Sequence, residues 1–333
     1  MKAIIYERAG GLDVIKQVDM ERPILKDGET LIKSAFTSVN HVDLLGRMDL
    51  PWHKFPRIPG SDLSGVVEES KSGAFKPGDK VVAYPIKHCG LCYECQRGAP
   101  NSCDSRMLYG DHLDGFFSEY VVLQDRNIIK IPDALPLEWA GALPVAYGTV
   151  WHALIRRVKL MPSEKLLIIG GSGGAGVAAL QIGKLVGAEV ITTTSVQWKA
   201  RRLEELGAKQ VIDTANEKSL LAIKGTMDVV LDNVGGKGLK TSITALKKGG
   251  RLATMGMTAG STTEIDLRDI YSNNIRVEGI YGETQADITE LTLVVARKAF
   301  KPLIDSVFPL ERVAEAQSKM EERKHLGKIV LRF

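Results

Sequence analysis

Six residues, Gly171-Ser172-Gly173-Gly174-Ala175-Gly176, join an apolar run from Lys165 to Gly170 to a second apolar run from Val177 to Val186. The first run has the length of a strand and the second that of a helix, so the glycines predict a tight strand-to-helix turn. In the G-x-G-x-x-G spacing, Gly171 permits the turn and Gly173 lets the backbone reach a pyrophosphate. Gly176 lets the helix pack against the strand, with the phosphate at the helix N-terminus beside Gly174. These four glycines are candidate dinucleotide-binding residues. A glycine-rich turn without a ligand is the alternative; the order strand, loop, helix and next strand (Glu189 to Thr194) argues against it.

The same alternation continues downstream. Strand-like runs at Val211 to Asp213, Asp228 to Asp232, Arg251 to Met255 and Arg276 to Ile280 follow a helical run from Lys199 to Leu206. Apolar strands alternating with helices predict a parallel sheet covered on both faces, a doubly wound Rossmann domain over about 131–282. Residues 1–130 read differently, as short β-like runs (Thr30 to Ser34, Ser64 to Glu68, Lys80 to Tyr84, Glu119 to Leu123) punctuated by Pro and Gly, which predicts a β-barrel-like domain. The tail, 283–333, adds two helices and two strands. At 333 residues the chain exceeds the size of one ordinary core, consistent with two domains.

Composition removes other classes. The 44 basic and 40 acidic residues are dispersed, with no long basic block, so nucleic-acid binding gains no support. No run of roughly 18 apolar residues marks a membrane span, and Met1 to Glu7 reads as a strand rather than a secretory signal. The expected location is the cytoplasm.

Where a site selective for NAD places an acid about 20 residues after the glycines, the second strand ends at Thr194-Ser195, and no acid occurs between Glu189 and Glu204. Ser195 is followed by Lys199, Arg201 and Arg202, groups suited to a 2′-phosphate. NADPH is the expected cofactor, with Ser195, Lys199 and Arg202 among its contacts; cations coating an exposed helix start are the alternative.

All four cysteines fall together, Cys89, Cys92, Cys95 and Cys103, inside a lobe of about 86–105. Four soft thiolates close a tetrahedral zinc and leave no open position, so one structural zinc is expected there. A disulfide is disfavoured in a reducing compartment, and the last spacing differs from the usual iron–sulfur run.

Further segments carry a resemblance: Met1-Lys2-Ala3, Pro59-Gly60-Ser61-Asp62-Leu63-Ser64-Gly65, Pro77-Gly78-Asp79-Lys80-Val81, Asp114-Gly115-Phe116-Phe117-Ser118-Glu119-Tyr120, Asp232-Asn233-Val234-Gly235-Gly236 and Gly327-Lys328-Ile329-Val330-Leu331. With the cysteine lobe and the glycine loop they make the chain similar, end to end, to the medium-chain dehydrogenase/reductase superfamily. The resemblance implies a GroES-like catalytic domain interrupted by the Rossmann domain, an active site in the cleft between them, and a homodimer or homotetramer paired through the strand near Arg276 to Ile280.

It also implies a choice of mechanism. Where the zinc alcohol dehydrogenases of the family carry ligands, this chain has Asn40, Ser61 and Val145, and Val42 and Leu45 stand where their proton relay would be. Asn40-x-x-Asp43-x-x-x-Arg47 instead looks like the quinone oxidoreductase branch. The expected function is an NADPH-dependent reduction, without catalytic zinc, of a C=C conjugated to a carbonyl in a quinone, enone, or enoyl or acryloyl thioester. The expected roles are Asn40 as hydrogen-bond donor near the nicotinamide, Asp43 and Arg47 as an ion pair shaping the site, His41 and Thr149 on the cofactor, and Trp52 lining the substrate pocket. Two other readings are a zinc alcohol dehydrogenase with ligands drawn from His41, Asp62, His53 or His152, and a non-catalytic NADPH-binding scaffold or sensor.

Overall fold

A computed structural model describes Met1–Phe333 apart from the side chain of Glu217. The chain divides into two compact units, Met1–Gly148 with Gly282–Phe333, and Thr149–Tyr281. The first unit thus reaches further than the expected boundary near residue 130. Residues 137–148 stay with it because Gly141 lies against Phe36 and Ser64, and the Ser64 hydroxyl donates to the Leu137 carbonyl at 2.7 Å.

The first unit is built on a sheet in the order Ile304–Pro309, Lys328–Arg332, Glu29–Val39, Ser64–Ser70, Lys80–Ala83, Ile128–Lys130, with Tyr120–Gln124 also paired to Glu29–Val39. All these pairings are antiparallel except that of the two C-terminal strands. Glu29–Val39 is the organising strand: its first half pairs with Tyr120–Gln124 and its second half with Lys328–Arg332, Val39 opposite Ile329. Two apolar clusters fill the unit. Ile32, Leu63, Val81 and Phe116 belong to one, and Ile4, Val39, Phe117 and Leu331 to the other.

In the second unit six parallel strands run in the order Gln210–Asp213, Glu189–Thr194, Lys165–Ile169, Met227–Asp232, Leu246–Thr254, Arg276–Gly279. Numbered along the chain this is 3-2-1-4-5-6, the doubly wound dinucleotide-binding order, whose crevice opens at the carboxyl ends of strands 1 and 4. The central strands are buried almost throughout, as sheets covered on both faces require. Arg276–Gly279 forms one edge and is largely exposed. Among the described residues no helix is long and apolar enough to cross a membrane.

Candidate active site and zinc lobe

The glycine loop leaves the carboxyl end of Lys165–Ile169 and enters the helix Gly174–Val186. A Cβ on Gly176 would collide with the backbone of Gly170 and Gly171, and one on Gly171 with Thr192, so these two positions admit only glycine. Gly173 is different: nothing lies within 4 Å of where its Cβ would be. As N-cap it offers no side-chain acceptor to the first-turn amides. The uncapped positive end of a 13-residue helix, with room at Gly173, fits a pyrophosphate.

Ser195 is exposed just past the second strand, at the approach to the helix Gln197–Glu205. The cations that follow are not equivalent. Lys199 is buried, its ammonium 5.5 Å from the centre of the Trp198 ring, and Arg202 pairs with Glu205, whereas Arg201 is exposed. Thr149 is buried at the start of the second unit.

In the first unit the strand Glu29–Val39 delivers Ser38 and Asn40 to a buried polar cluster. Asp62 is its centre. Asp62 Oδ2 accepts from Ser38 Oγ at 2.5 Å, Asn40 Nδ2 at 2.7 Å and Lys328 Nζ at 3.2 Å, and Oδ1 accepts from the Val145 amide at 2.8 Å. Lys328 Nζ also donates to Asn40 Oδ1 at 2.6 Å and to the Val39 carbonyl at 3.3 Å. Three ammonium hydrogens thus meet three acceptors, which is what keeps so deeply buried a charge tolerable. The second hydrogen of the Asn40 amide makes only a 3.4 Å contact to the Ser38 carbonyl.

Asn40 caps the short helix His41–Leu45, and its backbone amide donates to Asp43 Oδ2 at 2.7 Å. That turn-back explains why the expected Asp43–Arg47 ion pair is not made. Arg47, also buried, bonds Glu321 and the Gly10 carbonyl instead. Burial raises the Asp43 carboxyl to about 7; nearby Asp62 adds to the rise, while the Asn40 amide and Lys328 oppose it. His41 is exposed at its edge, yet partial desolvation, reinforced by Lys328 and Arg323, holds its imidazole below the usual range.

The cysteine lobe stands apart from that cluster in sequence and in chemistry. Cys89 Sγ lies 3.9 Å from Cys95 Sγ and 3.6 Å from Cys103 Sγ, and all four sulfurs fall within 4.8 Å of one another. Tetrahedral Zn–S bonds of about 2.3 Å demand S···S separations near 3.8 Å. Amides of Leu91 and Cys92 point at Cys89 Sγ, as they do toward thiolates. Among the described residues this is the one group of three or more metal-ligating side chains with such a geometry. The alternative ligands do not converge on it or on one another: Asp62 is committed to its four donors, and His53 is bonded to Met48 and Asp111.

Residues 26–133 match the alcohol dehydrogenase GroES-like domain, and residues 206–331 the zinc-binding dehydrogenase family. An alcohol dehydrogenase of Geobacillus stearothermophilus is 30% identical, over 100% of this chain and 99% of its own. The chain belongs to the medium-chain dehydrogenase/reductase superfamily. Acryloyl-coenzyme A reductase of Metallosphaera sedula is 28% identical over 99% of both chains. A crystal structure described as an NAD-dependent alcohol dehydrogenase superposes with a TM-score of 0.93, at 30% identity and full coverage of both chains. The protein is therefore an oxidoreductase of this superfamily, with a GroES-like unit and a Rossmann unit as its sequence implied.

Sequence reasoning passed over Lys328 as part of a motif and did not single out Ser38 at all. The available signal was a lysine opening the terminal strand Lys328–Arg332 ahead of the apolar run Ile329–Leu331. A cation in such a strand needs a buried acid, and Asp62 in the Pro59–Leu63 segment is that acid.

Proposed function

We propose that this reductase delivers hydride to a C=C bond conjugated to a carbonyl, in a quinone, enone, or enoyl or acryloyl thioester, and does so without a catalytic zinc. The observation that carries the reading is the commitment of Asp62 to four donors, one of them the Lys328 ammonium. Its Oδ2 is filled by a hydroxyl, an amide side chain and an ammonium, and Oδ1 is held by a backbone N–H, so a metal would have to compete with this set, and a cation 3.2 Å away opposes a second one. Asn40, Ser61 and Val145 offer no thiolate or imidazole in compensation.

Without a Lewis acid an isolated carbonyl is a poor acceptor, since charge builds on one oxygen with little to stabilise it. A conjugated acceptor spreads that charge into an enolate, which hydrogen-bond donors alone can hold. The second amide hydrogen of Asn40 is the donor for that oxygen. Lys328 and Asp62 fix the amide's orientation, and Asp43 and Arg47 brace the helix that Asn40 caps.

NADPH is the proposed hydride source. The open face of Gly173 would receive the pyrophosphate, and exposed Ser195 with Arg201 the 2′-phosphate; Lys199 and Arg202 contribute to the positive field there. His41 and Thr149 are proposed as further cofactor contacts. The resemblance of the whole chain to an acryloyl-coenzyme A reductase agrees with a thioester among the acceptors. Pairing through the exposed edge strand Arg276–Gly279 would give a homodimer or tetramer.

Metal stoichiometry by mass spectrometry tests the zinc-free mechanism. One zinc per chain, lost on replacing Cys92, supports it. Two zincs, with activity lost as the second is removed, would return the protein to the alcohol dehydrogenase mechanism.

A further inference from the structure

The approach to the cysteine lobe grips the segment by which the chain re-enters the first unit, a connection that the proposed chemistry does not use. The chain leaves this unit at Gly148 and returns to it at Gly282. The two ends meet: a Cβ on Gly148 would come within 2.9 Å of the Glu283 side chain. Gly282 turns with φ +64°, which glycine adopts without strain, and a Cβ there would strike Ile86 at 2.6 Å. Tyr84, fully buried, donates its hydroxyl to the Glu283 carbonyl at 2.9 Å. Thr284 then caps the helix Gln285–Ala296, its hydroxyl accepting the Asp287 amide at 3.2 Å.

A second tie runs through Arg126. Its guanidinium donates to the Cys89 carbonyl at 2.6 Å and stands 2.6 Å from where a Gly90 Cβ would be, while its own carbonyl accepts from the Gln285 side chain. Buried Asn127 steadies the approach to the lobe, donating to the Tyr84 carbonyl at 3.1 Å and the Ile86 carbonyl at 2.8 Å. The Tyr84 ring stands edge-on to His88 at 5.7 Å, and the amide of the next residue, Cys89, donates to Cys103 Sγ at 3.4 Å. Four thiolates around one divalent zinc leave a net charge of about −2. The Arg126 cation, bonded at the first of the four ligands, supplies countercharge to it.

We propose that Tyr84 and Arg126 make the cysteine lobe a latch on the segment Gly282–Gln285, so that zinc in the lobe and order at the start of the helix Gln285–Ala296 stabilise each other. The proposal rests on the reading of the four thiolates as a zinc site. Zinc fixes Cys89, Cys89 fixes the Arg126 guanidinium, and Arg126 presents its carbonyl to Gln285. Such coupling is reciprocal: loosening the segment weakens zinc binding by the same factor by which losing zinc loosens the segment. The Gln285 side chain ends on the Arg126 carbonyl and not on a sulfur, so zinc held by a self-contained lobe would not respond to its removal.

The test uses the full chain loaded with zinc. Zinc release into excess pyridylazoresorcinol is timed in the wild type, Gln285→Ala, Tyr84→Phe, Arg126→Gln, Arg126→Lys and Arg312→Ala, the last losing an exposed ion pair with Glu315. Gln285→Ala and Tyr84→Phe should release zinc about 5-fold faster, the worth of one hydrogen bond. Arg126→Gln should release it faster still, and Arg126→Lys, which keeps the charge, should recover part of the loss. Arg312→Ala should match the wild type. Stripping zinc from the wild type should speed amide exchange across residues 282–296 by about 5-fold or more, while the strand Lys165–Ile169 keeps its protection. If the stripped chain unfolds, the release rates decide. Wild-type release rates in Gln285→Ala and Tyr84→Phe would overturn the proposal, as would equal acceleration by Arg312→Ala or unchanged exchange in a folded zinc-free chain. A wild type that binds no zinc would sink the zinc reading itself, and the latch with it.

Discussion

Lys328 and Asp62, 266 positions apart, form an ion pair of 3.2 Å in the interior of the GroES-like unit, with side-chain exposures of 2% and 0%. Charges this deep persist only if each is hydrogen-bonded elsewhere, and each is. Lys328→Met should therefore cost about 3 to 5 kcal/mol, because it strands the Asp62 carboxylate. Adding Asp62→Asn to that variant should recover much of the loss. Urea unfolding of the two single variants and the double variant measures the coupling; additive losses would show that the pair does not act as a unit.

Asp43 gives a pH signature. Its carboxyl is raised to about 7 in the folded protein, above the unfolded value of about 3.9. Stability from the protonated form is complete below the unfolded value and is lost as pH rises toward 7, where the buried group ionises. Asp43→Asn keeps the shape and cannot ionise. Relative to wild type it should gain about 2 kcal/mol between pH 5.5 and pH 8. Equal pH dependence in both proteins would remove Asp43 as the source.

The zinc lobe should be structural. Replacing Cys92 or Cys103 by Ser should lower zinc content and melting temperature together, with activity following the folded fraction. A folded, zinc-free variant of undiminished stability would show that the four thiolates do not hold the lobe.

Cofactor choice follows from the end of the second Rossmann strand. Ser195→Asp should reverse or erase a preference for NADPH, since a carboxylate repels a 2′-phosphate and bonds a free 2′-hydroxyl. Arg201→Ala should weaken NADPH more than NADH, by about 1 to 2 kcal/mol at low salt and less as salt rises. Because Lys199 is buried against Trp198, Lys199→Ala should also lower stability, which affinity titrations paired with melting curves will separate. Equal affinities for both cofactors, unchanged in these variants, would place recognition of the 2′ position elsewhere.

Local pattern made much of this readable. The glycine loop, the apolar parallel strands and the cysteine spacing each depend on residues close in sequence, and they appear where the pattern put them. The strand beginning at Glu29 shows the limit: its pattern predicted Thr30 to Ser34, but it runs to Val39 because Phe36–Val39 pair with residues 329–332. That partner is nearly the whole chain away, so no local window reveals it, and the same pairing brings Lys328 beside Asn40. The two helices Glu217–Ala222 and Leu239–Ala245 are short and weakly patterned, and only the parallel connections they cross over require them. The Asp43–Arg47 ion pair was expected from the family resemblance; the capping of Asn40 and the approach of Glu321 decided otherwise.

The central claim is that the chain reduces conjugated acceptors. It is tested most directly by following NADPH absorbance with quinones, alkyl enones and enoyl-coenzyme A esters, set against the reverse assay with simple alcohols and NADP. The account predicts NADPH oxidation with at least one conjugated class, a product saturated at the α and β carbons (a hydroquinone from a quinone), and no alcohol oxidation. Alcohol oxidation that depends on a second bound zinc, with no turnover of any conjugated acceptor, would contradict it.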